Sequence, residues 1–153
     1  MTEARITKIK TSLAKQMAQP GGRTVADIER RANERLNRHK GEVMDTISKR
    51  IATLEALVAA KEEGAEDLVY KLASALLDTA GFFETGPLYD AGYSLCETAD
   101  LMTASGKWSW PSIQVHVHAL RLILTNGCKA DATSEALMQG LRAIVAKARA
   151  DGD

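Results

Sequence analysis

The stretch AEDLVYKLASALLDTA, residues 65–80, decides the fold. Placed at intervals of about 100°, Val69, Leu72, Ala73, Leu76 and Ala80 share one face. Asp67, Lys71, Ser74 and Asp78 fall on the opposite one, as a polar ridge with a serine in its middle. An apolar stripe of this period predicts an amphipathic helix roughly 25 Å long. A strand would alternate every second residue, and no part of the chain does so for long.

The same period runs outward in both directions. Upstream, Val25, Ile28, Ala32, Leu36, Val43, Ile47, Ile51, Leu54 and Val58 keep helical spacing without a proline, and Gly41 is the one weak point. Thr24 is the expected N-cap, with Asp27 three residues on as a short-armed version of the capping box. A helix over residues 24–60 is roughly 55 Å long, about twice its successor. The apolar stripe of residues 25–41 therefore needs its own cover, from an earlier helix or from a second copy of the chain. That earlier helix is expected over residues 2–18, where Ile6, Ile9, Leu13 and Met17 recur, and Pro20-Gly21-Gly22 ends it.

Downstream, Pro87 suits a first helical turn, and a helix is expected from there to about Thr103. Its apolar face carries Leu88, Ala91, Leu95, Ala99 and Met102; Tyr89, Tyr93, Glu97 and Asp100 point outward. A further helix follows Trp108-Ser109-Trp110-Pro111 and closes at Gly127, and a last one is capped by Asp131 or Thr133. Short connections favour antiparallel neighbours, so the expectation is an all-α, up-and-down antiparallel bundle with an extra N-terminal helix and one long helix. It divides into residues 1–42, the N-terminal helix and the basic part of the long helix, and residues 43–150, the bundle.

The chain has 153 residues, of which 45% are hydrophobic and 5% aromatic, enough to bury one core and too few aromatics for a β-sandwich. Lys+Arg and Asp+Glu are 20 each, and a neutral total argues against a polybasic nucleic-acid binder. The charge is uneven, however. Residues 1–60 hold 12 basic and 7 acidic side chains, while residues 61–153 hold 8 and 13, a pattern of two functional regions or of complementary faces in an assembly. The basic excess gathers at Arg30, Arg31, Arg35, Arg38, His39 and Lys40. No apolar run approaches the length of a membrane span, and Met1 to Lys10 is charged throughout, so a cytoplasmic protein with no membrane association is expected.

Motifs for familiar chemistry are missing. His116 and His118 are two apart, about 200° around a helix, and do not chelate a metal as an i,i+4 pair does. Cys96 and Cys128 belong to no CxxC, Gly21-Gly22 lacks a following Lys-Ser/Thr, and no GxSxG occurs. No cofactor, metal or catalytic residue is assigned.

Leu72-Ala73-Ser74 through Gly81-Phe82-Phe83, Gly86-Pro87-Leu88, Ser94-Leu95-Cys96 and Val115-His116-Val117-His118-Ala119-Leu120-Arg121 together resemble bacterial histidine-containing phosphotransfer (Hpt) domains. The resemblance covers roughly residues 43–148. It implies a bundle of four antiparallel helices whose exposed histidine, on a middle helix, exchanges a phosphoryl group with response-regulator receiver domains. The matching histidine position here is Ser74, with Leu77 at the family's lysine and Asp78 at its glycine; a second register places Tyr70 in the slot. Neither register supplies the nitrogen nucleophile that reversible transfer from an aspartyl phosphate needs. Ser74 is preferred for its place on the outward ridge. Asp78 would repel an acidic receiver pocket, and Lys71 offsets part of that.

These residues lead to three expectations. The first is an Hpt-like signalling module that binds a receiver or histidine kinase domain without ordinary phosphotransfer, through Lys71, Ser74, Asp78, Tyr89 and Tyr93. The second is an active phosphorelay phosphotransferase that uses His118 or His116 as acceptor. The third is a dimeric helical scaffold, a homodimer joined through the long helix.

Overall fold

Thr24 opens the first helix as its composition predicts. Its hydroxyl accepts the Asp27 N–H at 3.2 Å and donates to the Asp27 carboxylate at 2.9 Å, so the short aspartate arm meets the hydroxyl. The computed structural model describes residues 20–22, 24–83 and 85–152; the helix expected over residues 2–18 lies outside them. Among the described residues the protein is all-helical, with five helices and no strand: α1 (Val25–Ala60), α2 (Glu66–Ala80), α3 (Pro87–Ser105), α4 (Trp110–Thr125) and α5 (Ala132–Ala150). None is long and apolar enough to cross a membrane.

The chain forms two compact units, Met1–His39 and Lys40–Asp153. In the first, the apolar stripe of α1 lies open, with Val25 72%, Ile28 55% and Leu36 58% exposed. In the second, the same stripe continues through Ile47, Ile51, Leu54 and Val58 and is buried.

Within this second unit, long-range contacts join the helices. Arg50 of α1 donates to the Ala75 carbonyl at 2.6 Å and to the Thr79 hydroxyl, which places α2 beside α1. Arg121 of α4 grips both Glu55 carboxylate oxygens, at 2.9 and 2.8 Å, and reaches Ser48, so α4 flanks α1 as well. The helix α3 packs on α2, α4 and α5. Three neighbours bury far more of it than one stripe: Gly92, Ser94 and Thr98 are buried along with Leu88, Ala91, Leu95, Ala99 and Met102. At Gly92 a Cβ would stand 3.2 Å from the end of the Leu76 side chain, a tight contact at the α2–α3 crossing.

The caps follow local chemistry. Asp131, rather than Thr133, caps α5 in a reciprocal box with Ser134. Trp108 and Trp110 meet edge to face at 5.5 Å and pack against the core beside the α3–α4 turn.

Candidate functional site

The seam between α2 and α3 holds most of the side chains singled out by sequence. A cleft of about 410 Å³ is lined by Tyr70, Ser74, Leu77, Tyr93, Glu97 and Asp100, with Cys96 and Leu101 on its α3 wall. Further hollows continue it at both ends. One, by Gly64, Glu66 and Asp67, shares Tyr70 and Asp100 with the cleft; the other, by Asp78, Phe82 and Tyr89, shares Leu77. Together they make one groove along the whole of α2.

The structure moves Ser74 off the outward ridge. The α3 helix runs along the row that Tyr70, Ser74 and Leu77 occupy, so Ser74 is half-buried in the groove wall. Tyr70, one turn earlier on that row, is 42% exposed, so accessibility alone does not favour Ser74 over it. Asp78 is exposed at the far end, beside Tyr89. Tyr93 stands 57% exposed over the cleft, and Tyr89 is exposed as well. Lys71 lies outside the lining and pairs with Asp67 at 2.6 Å on the helix surface. Ser74 and Tyr93 are thus brought together, Asp78 and Tyr89 likewise, and Lys71 stands apart from both pairs.

The groove is acidic. Residues 66–105 contain seven Asp and Glu and one basic residue, Lys71. Arg149 of α5 reaches over to Glu97, whereas Glu66, Asp78 and Asp100 form no ion pair with a described residue. Burial, reinforced by the charge of Asp78, pushes the Cys96 thiol up to about 11. It is protonated at neutral pH and is a weak nucleophile. The groove combines apolar and phenolic surface with negative charge, and offers neither an imidazole nor a thiolate. Among the described residues no three His, Cys, Asp or Glu side chains converge as a metal site.

The two α4 histidines have opposite fates. His118 is exposed. His116 is fully buried, and both its ring nitrogens are engaged. Nδ1 lies 2.9 Å from the Ser112 carbonyl and so carries the proton; Nε2 then accepts from the hydroxyls of Ser94 at 3.0 Å and Thr98 at 3.2 Å. Burial holds the imidazole below its ordinary pKa against the opposing pull of the Ser112 carbonyl. As a phosphoacceptor His116 is closed, because its one lone pair, on Nε2, is taken by two hydroxyls in a buried site, and of the two only His118 is exposed.

Sequence reasoning placed His116 beside the core stripe but missed its partners. The signal was present, since Ser94 and Thr98 are four apart on a face otherwise apolar, a polar pair that must find a buried partner. Ser94 also borders a cavity of about 450 Å³ between α3 and α5, ringed by Tyr93, Glu97, Arg142 and Arg149.

No family model, curated protein or solved structure matches this chain.

Proposed function

We propose that this chain is a noncatalytic docking module of the histidine-phosphotransfer type, a bundle built around four antiparallel helices. It binds a two-component partner, a receiver or histidine kinase domain, along α2 and α3. The observation that carries this reading is the groove itself. Its exposed tyrosines are suited to anchoring a protein partner, and the slot that resemblance assigns to the phosphoacceptor holds Ser74 in place of an imidazole. The cleft offers Ser74 no imidazole to remove its proton. The surrounding carboxylates also repel the close approach of an acidic receiver pocket. Binding without transfer follows from these features.

Titration against the receiver domains of the same organism, followed by calorimetry, tests the proposal. One or more receivers should bind, and Tyr93→Ala should weaken that binding. Absence of binding to every receiver and kinase domain sinks it.

The exposure of His118 favours a second reading, an active phosphotransferase with its acceptor on α4. Radiolabel from a phosphorylated receiver decides between the two. Acid-labile label that disappears in His118→Ala establishes transfer, and no label in the wild type leaves docking alone.

A further inference from the structure

The first unit contains a surface of the opposite kind to the α2–α3 groove. At about 100° per residue, Arg31, Arg35 and Arg38 line one flank of the open stripe made by Val25, Ile28, Ala32 and Leu36. Arg30 points away from that flank and is held by Asp27 and Glu34. Arg31, Arg35 and Arg38 make no ion pair with a described residue. The stripe is thus an apolar ridge with three unpaired cations along its edge. It belongs to an amphipathic segment, residues 25–38, about 21 Å long.

The groove is the matching negative. It follows the 15 residues of α2 and is therefore about 22 Å long. Its floor and rim present Tyr70, Leu77, Tyr93 and Phe82, and its unpaired charges are the carboxylates of Glu66, Asp78 and Asp100. Phe82, at 84%, and Tyr93 are as open as the stripe. Burying either surface against a neutral apolar partner would strand its charges, whereas burying one against the other pairs three cations with three carboxylates. The tyrosine rings also offer cation–π faces to the arginines.

We propose that the α2–α3 groove of one copy receives residues 25–38 of a second copy. Such a contact is heterologous, with different patches meeting. It also covers an apolar stripe whose Val25, Ile28 and Leu36 are exposed. The proposal does not depend on a receiver partner, but a receiver that docks in the groove must displace the second copy, so assembly would gate docking.

Charge reversal tests it. At low salt, sedimentation equilibrium of the wild type should give a mass that rises above 16.5 kDa with concentration and falls back as salt is added. Arg31→Glu/Arg35→Glu/Arg38→Glu should be monomeric, and so should Glu66→Lys/Asp78→Lys/Asp100→Lys. All six positions lie at the surface or its margin, and unchanged helical circular dichroism verifies that both variants fold. Mixed in equal amounts, the two monomeric variants should associate, because each reversed segment then meets an opposite groove. A monomeric wild type at every concentration overturns the proposal. So does self-association that survives either reversal, or a mixture that stays monomeric. Receiver binding by the arginine variant, whose groove is intact, reports on docking separately.

Discussion

Ser94 Oγ lies 3.0 Å from His116 Nε2 inside the α3–α4 interface, and this bond links two polar residues that would each be costly to bury alone. Thr98 completes the set one turn further along α3. The network holds a neutral imidazole in an apolar core, and stability inherits a pH dependence from it.

Burial lowers the pKa of His116 below 6.5, so at mildly acid pH the unfolded chain binds a proton that the folded one refuses. The stability tied to this neutral ring is complete above the unfolded pKa. It drains away as pH falls from about 7 through 6.5 towards the folded value. Urea midpoints measured from pH 8 to pH 5 should fall in this window, and the fall should be smaller in His116→Leu.

His116→Leu also strands two buried hydroxyls, and at pH 8 it should cost about 1–3 kcal/mol. The triple change Ser94→Ala/Thr98→Val/His116→Leu removes every partner at once and should recover part of that loss. Equilibrium denaturation of the single and triple variants makes the comparison. If the triple variant is the less stable one, the hydroxyls are not paying partners of this ring alone.

Arg121 and Glu55 join α4 to α1 through a bidentate, half-buried pair that includes Ser48. Arg121→Met should destabilise by about 1–2 kcal/mol, more than an exposed pair would. The guanidinium hydrogen bond holds the Glu55 carboxyl below its ordinary value of 4.5. Its contribution is therefore full above that value and is lost as pH falls through the lower folded pKa. An acid titration of thermal midpoints should show this step in the wild type and not in Arg121→Met.

Gly92→Val places a side chain where Leu76 stands 3.2 Å from the first added carbon. Overpacking at this crossing should cost about 1–3 kcal/mol and part α2 from α3. A lowered urea midpoint checks the first effect. Increased hydrogen exchange confined to α2 and α3 checks the second.

Tyr70→Ala and Tyr93→Ala alter the groove without touching the core, since both side chains are exposed. Each should leave the melting temperature within a few degrees of wild type and weaken partner binding about tenfold, a loss of about 1.4 kcal/mol. Calorimetric titration with a bound receiver measures it. Lys71→Ala, which removes a surface pair at the back of α2, should have a much smaller effect.

Much of the helical scaffold was legible from spacing. Thr24, Pro87 and Asp131 mark helix starts through their own backbone chemistry, and the stripe at Ile47, Ile51, Leu54 and Val58 announces its burial. The candidate site was legible in its residues but not in their arrangement. Tyr70, Ser74 and Tyr93 were each visible as candidates, yet their meeting in one cleft depends on which flank of α2 is covered by α3. From sequence Ser74 belongs to an open ridge, because a single helix has no record of its neighbour's azimuth.

The sequence alone determined where the five described helices form and which stripes of the second unit are buried, because period and capping are properties of residues within a few positions of one another. Only the tertiary structure decided that α3 has three neighbours, that His116 is sealed by Ser94 and Thr98, and that Arg121 finds Glu55 sixty-six residues away. Those pairings follow from how whole helices pack, and packing is settled by the combined shape and charge of surfaces that lie far apart along the chain.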